Sequence, residues 1–175
     1  MSTTSRSRPE RPAAPPLPEF EALDRAHLAA LVMLQDFERL LLRLDNEGAD
    51  EVAADSAKAI MAFFNGPGAQ HHADEEKHVF PMLLAGPDAS LVQHVRRLQQ
   101  DHGWIEEDWR ELKPQVEAIA AGYNWYDLPM LRAALPIFTA LYQDHIALEE
   151  SLIYPAAKRH MQALEDGQST RSSTS

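Results

Sequence analysis

The sequence predicts an all-α fold, an up-down-up-down four-helix bundle. Three observations carry that expectation. Apolar residues recur at helical spacing through almost the whole interior of the chain. Four such stretches are separated by short clusters of Gly, Pro, Asn and Asp. None of the chain alternates with the period of two that a half-buried strand needs. Short connections make consecutive helices antiparallel neighbours, and two unpaired hairpins would leave too much leucine in water.

The elements follow in order. Met1 to Pro18 carries prolines at 9, 12, 15, 16 and 18 among Ser, Thr and Arg, a composition that cannot pack a core and reads as a disordered tail. Leu23, His27, Leu31, Leu34, Leu41 and Leu42 then share one broad face of a first helix from about Glu19 to Leu44, stopped by the run DNEG. The second helix begins at Glu51 behind Asp50, is interrupted by NGPG at Asn65 to Gly68, and resumes from Ala69 to Ala85. The third spans Asp88 to Ala121 with a kink expected at Pro114, because an internal proline removes one hydrogen bond and crowds the preceding turn. The fourth starts behind Asp127 with Pro129 in its first turn and reaches about Leu164, carrying prolines at 136 and 155. Residues 19–164 form one bundle on this reading, and 165–175 read as a second disordered tail.

Composition narrows the chemistry. With 16 Lys plus Arg against 27 Asp plus Glu, the net charge of −11 repels nucleic-acid backbones and anionic membrane surfaces. With no cysteine among the 175 residues, disulfides, thiolate metal sites and thiol nucleophiles are excluded, and any metal must be held by His, Asp, Glu or backbone. No apolar run reaches the roughly 20 residues of a membrane span, and the N-terminus lacks a secretory apolar core, so the expected compartment is the cytoplasm.

One string occurs three times: His-x-x-x-Glu-Glu, at His71 with Glu75 and Glu76, His102 with Glu106 and Glu107, and His145 with Glu149 and Glu150. Residues four apart lie one turn apart on one helix face, so each string presents an imidazole and a carboxylate to one point. The segments HHADEEKHVFP and HIALEESLIYP align at a constant offset of 74 residues, the mark of a duplicated helical hairpin. Helical rise tests whether the histidines meet. His27 to Leu44 is 17 steps against 20 back from Glu51 to His71; the other two turns compare 14 with 14 and 20 with 17. At about 1.5 Å per residue every pair agrees to within about 5 Å, so all four histidines share one layer. A lone His-x-x-x-Glu is ordinarily a solvated pair, but three of them level with His27 on a leucine face point to a shared metal site of His27, His71, Glu75, His102, Glu106, His145 and Glu149. Burying these groups with no cation would cost several kcal/mol for each unpaired charge. His72 lies about 100° round from His71 and is expected to border the site or solvent. His78 is expected in an outer or core role, and His94 and His160 fall too far along their helices. Trp109 is expected to pack beneath the site and GYNWYD, residues 122–127, to cap the bundle end or, as a second reading, to offer a partner surface.

The four histidine-bearing helices and the two aligned segments resemble the hemerythrin family, in particular its HHE cation-binding branch, over roughly residues 20–160. The resemblance implies a four-helix bundle holding two iron ions bridged by two carboxylates and an oxo or hydroxo group, reacting with dioxygen, peroxide or another small diatomic. It also implies His27 and His71 on one iron, His102 and His145 on the other, and Glu75 and Glu149 as bridges. Two positions depart from hemerythrin: Glu106 stands where that family has a second histidine, and its last-helix bridge falls where Glu150 stands here, so Glu150 stays open beside Glu149.

About seven His and Glu ligands suit a pair of octahedral ions better than tetrahedral zinc, with iron first and manganese second. A carboxylate at Glu106 in place of imidazole would favour the ferric state and turn the site from reversible oxygen carriage toward oxidation or sensing. Ferritin-like oxidases need two Glu-x-x-His motifs on separate helices, and only Glu75 to His78 fits, residue 152 being leucine. An iron reservoir, an oxidase-type di-metal enzyme and a metal-stabilised signalling module remain alternatives, and the sequence does not decide whether the protein is an enzyme or what its redox partner is.

Overall fold

The computed structural model describes residues 19–172; the expected tail over 1–18 and the last residues, 173–175, lie outside them. Among the described residues every regular element is helical. Helix α1 spans Phe20–Asn46 and ends where Gly48 turns the chain at φ +77°. Its buried face holds Leu23, His27, Leu34 and Leu41, whereas Leu42, expected on that face, is 63% exposed. Helix α2, Glu51–Asn65, is capped by Asp50, whose side chain accepts from the Ala53 N–H at 2.8 Å and from Arg43 Nε of α1 at 2.9 Å.

The expected interruption at NGPG contracts to Gly66. Pro67 opens α3, Pro67–His78, because a first-turn proline lacks only an N–H that would have no helical partner. A Cβ at residue 66 would lie 2.9 Å from the Ala62 carbonyl oxygen, so the join requires glycine. Helix α4, Phe80–Leu84, follows after a break at Val79. Helix α5, Ala89–Ala120, is capped by Asp88 and stays one continuous helix through Pro114. Helix α6, Leu128–Leu148, is capped by Asp127, which accepts from Met130 N–H at 2.9 Å. It passes through a π-helical turn, Glu149–Ile153, into α7, Tyr154–Ser172, which carries the helix beyond the expected end near Leu164.

Helix α1 packs on α2 and α6, and α5 packs on the same two, so the four close into the expected bundle. The apolar core is split in two. One cluster holds Leu34, Phe37, Ile60, Trp109, Leu112, Phe138 and Tyr142; the other holds Leu23, Phe80, Leu98, Ile153 and Tyr154. On α1 and α5 the switch between clusters brackets the histidine: between Leu23 and Ala30 on α1, and between Leu98 and Ile105 on α5. The polar layer anticipated from the rise arithmetic lies there. The GYNWYD segment caps the bundle only in part: Tyr126 packs against the core, while Tyr123 and Trp125 stack on each other with more than half their surface in water.

Candidate metal centre

Six side chains converge in that layer, each buried: His27 from α1, His71 and Glu75 from α3, His102 from α5, His145 from α6 and Glu149 from the π turn. Glu75 presents Oε1 to His71 Nε2 at 3.4 Å and His27 Nε2 at 3.7 Å, and Oε2 to His102 Nε2 at 3.4 Å. Glu149 presents Oε2 to His27 Nε2 at 3.1 Å and His145 Nε2 at 3.2 Å, and Oε1 to His102 Nε2 at 4.0 Å. The Nε2 atoms of His102 and His145 lie 3.1 Å apart. The donors form two groups, His27, His71, Glu75 and Glu149, and Glu75, His102, His145 and Glu149, which share both carboxylates. Donors about 2.1 Å from a common ion stand roughly 3.0–3.4 Å from one another, and most of these separations fall in that range.

The unsatisfied atoms tell the same story. Both ring nitrogens of His71, Glu75 Oε2 and Glu149 Oε1 are buried without a hydrogen-bond partner. Buried polar atoms left unpaired in this way cost about 1–3 kcal/mol each, and cations in the layer would satisfy one nitrogen of His71 together with Glu75 Oε2 and Glu149 Oε1. Burial alone would lower the pKa of His27, but hydrogen bonds to Glu149 and Glu75 outweigh it and raise it to about 10. His145 is raised to about 9, burial again being overcome by Asp101 and Glu149. Burial would raise Glu75, yet His102 and His27 beside it hold its carboxyl well below the usual range.

The second glutamate of two strings has a separate task. Glu76 Oε1 accepts from His102 Nδ1 at 3.1 Å, and Glu150 Oε1 accepts from His27 Nδ1 at 3.0 Å. An ionised carboxylate only accepts, so the Nδ1 atoms carry hydrogen and the Nε2 atoms are left toward the cluster. Each Glu-Glu pair therefore sends one carboxylate into the layer and uses the next to hold a histidine on another helix. Glu150, left open as a bridge, lies on this outer side. The duplication extends further: Phe80 stacks on His102 with ring centroids 5.5 Å apart, and Tyr154, 74 residues later, stacks on His27 at 5.2 Å.

Glu106 corrects the sequence reading. Its side chain is 75% exposed and accepts from Arg110 at 3.3 Å, one turn along the same helix. The buried stripe of α5 runs His102, Ile105, Trp109, Leu112, stepping first by three, and so turns residue 106 outward. Glu106 therefore adds no ligand charge that would favour a ferric ion. His72 borders the layer as expected, stacked on His102 at 4.2 Å, and its Nε2 is buried without a partner. It forms a further close group with His102 and His145. His160 is exposed, and Trp109 is buried as expected, donating from Nε1 to Asn65 at 3.0 Å.

Two residues escaped the sequence reading. Tyr154 is 2% exposed; its hydroxyl donates to Glu75 Oε1 and lies 3.2 Å from His27 Nε2. Burial and the carboxylates of Glu75 and Glu149 raise its pKa, which keeps the phenol protonated and donating. Its only sequence signal was the pairing of LIYP with HVFP. Asp101 is equally buried, with Oδ2 3.9 Å from His145 Nδ1 and 3.7 Å from Arg97 Nε. The repeated QDH concealed it, because Asp144 in the other copy is exposed.

A four-helix bundle crossed by a buried layer of four imidazoles and two shared carboxylates defines a class, the helical cation-binding proteins. Residues 19–157 match the hemerythrin HHE cation-binding domain, and the chain belongs to that family. No curated protein and no solved structure matches it.

Proposed function

We propose that the protein is a non-haem di-iron protein that reacts with dioxygen, peroxide or another small diatomic. The observation that supports this best is the sharing of Glu75 and Glu149 by two donor groups, an arrangement suited to a pair of ions and wasteful for one. His27 and His71 would hold one ion and His102 and His145 the other, with the two glutamates spanning both. Imidazole-rich, cysteine-free donors suit iron ahead of manganese, which prefers more carboxylate and water. Bound iron supplies redox chemistry with oxygen that no side chain of this chain performs. Glu76 and Glu150 fix the orientation of two histidines, Tyr154 holds a proton on its hydroxyl against Glu75, and the flanking apolar clusters exclude bulk water. The strongly acidic chain argues against nucleic-acid or anionic-membrane partners, and no described helix is long and apolar enough to cross a membrane. We place the protein in the cytoplasm. Elemental analysis of protein purified from iron-replete cells should find about two irons per chain, and Glu75→Gln should lose most of them. One zinc and no iron would overturn the reading.

A further inference from the structure

The two sides of the layer differ in access. On the His27 side Tyr154 closes the site. On the His102 side a groove of about 490 Å³ lies between α3 and α5, within the size range of small-molecule pockets. Phe64, Ile105, Trp109 and Tyr142 line it, and the rings of His72 and His102 separate it from the donor layer. These are flat faces held in place: Trp109 lies 5.0 Å from Phe64 and is pinned by Asn65, and His72 lies 5.5 Å from Tyr142. The remaining polar lining is Glu76, Glu106 and Lys77, two carboxylates against one ammonium in a chain of net charge −11.

We infer that this groove binds an uncharged, planar aromatic molecule of one or two rings bearing a hydroxyl or amino donor, such as a phenol or arylamine. Aromatic walls give affinity for a flat ring, and the excess of acceptors at the rim selects a donor and turns away an anion. Glu106 offers a carboxylate at the rim, and Glu76, which already accepts from His102 and Gln99, keeps lone pairs for a further donor. Only the ligand's position beside a metal pair rests on the function proposed above; binding itself does not. The groove also explains Glu106, absent from the donor layer yet part of this lining.

The test is calorimetric titration of the full chain as purified, with iron measured on the same sample, using three probes of one shape: 2-naphthol, 2-methoxynaphthalene and 2-naphthoate. The expected result is one 2-naphthol per chain, bound about tenfold or more tighter than the other two, the worth of one hydrogen bond to a charged acceptor. Ala73→Trp, at an exposed lining position, should weaken 2-naphthol at least tenfold with unchanged helicity, and Ala69→Trp provides a second blocking variant. Saturation by 2-naphthoate as tight as by 2-naphthol, no saturable binding of any probe, or indifference to both tryptophans overturns the inference. Iron without 2-naphthol binding sinks the groove alone; 2-naphthol binding without iron sinks the di-iron reading alone.

Discussion

At the residue scale, the site rests on a division of labour within Glu-Glu pairs. Glu75 and Glu149 face the donor layer, while Glu76 and Glu150 reach a histidine of a different helix from its outer side. Outer partners of metal-binding histidines commonly contribute 10–100-fold to affinity, by fixing the tautomer and ring orientation. Glu76→Gln and Glu150→Gln should therefore each weaken iron about 10-fold or more in a chelator competition, with stoichiometry retained at saturating metal. Glu106→Gln, at an exposed position paired with Arg110, should leave iron affinity unchanged. An equal loss in all three variants would show that general surface charge, and not histidine orientation, is at work. The sequence showed which residue types matter but not which of two adjacent glutamates turns inward. That depends on the phase of each buried stripe, and on α5 the stripe steps to Ile105 and leaves Glu106 outside.

At the element scale, both copies of the hairpin break regularity at the same place. In the first, helix α3 ends at His78, Val79 is irregular and Pro81 sits in the first turn of α4; in the second, the π turn Glu149–Ile153 precedes Pro155. Pro155 has no N–H to donate to residue 151 and its ring crowds that carbonyl, so the wider turn accommodates it. The wider turn also absorbs an extra residue, keeping Ile153, Tyr154 and Ala157 in the core. Deleting Ser151, itself exposed, removes the residue that the wider turn absorbs, so α-helical pairing should return with the following segment in its present phase. Tyr154 would then stay against Glu75 and His27, and stability should change by less than about 1 kcal/mol. Ser151→Ala should change it by less than about 0.5 kcal/mol. Thermal melts of both variants check this, and a loss of about 3 kcal/mol or more in the deletion variant would show that the segment is rotated and Tyr154 taken out of the core. The sequence marked Pro155 but could not choose between a kink, a break and a π turn, because that choice belongs to the packing partners of the downstream helix.

At the scale of the whole molecule, metal and protons compete for one buried layer. Without metal, His27 is raised to about 10 and His145 to about 9, against 6.5 for a free imidazole. Groups raised on folding contribute stability that is fully present below pH 6.5 and is lost as pH climbs through 9 and 10. The melting temperature of the metal-free protein should therefore fall across that window. The loaded protein should hold its own over the same range, since metal-bound imidazoles are already neutral, and iron uptake below pH 9 should release protons. Scanning calorimetry of both forms from pH 6 to pH 10 decides this; a metal-free melting temperature flat across the window would mean that protonated histidines do not hold the empty layer together.

What the sequence determined by itself was the set of helices and the level of their histidines. Helical period, caps such as Asp50 and Asp127, and a rise of about 1.5 Å per residue are local properties that need no knowledge of the neighbours. They sufficed to bring His27, His71, His102 and His145 into one layer and to place Glu75 and Glu149 one turn from two of them. The tertiary structure decided the rest: Glu106 outside and its neighbours Ile105 and Trp109 inside, Tyr154 on Glu75, Asp101 behind His145, and a groove on the His102 side. Each of these depends on helix rotation about its own axis, where one residue is 100° and a step of three rather than four exchanges a buried side chain for an exposed one. That rotation is set by packing among four helices at once, which no local pattern encodes.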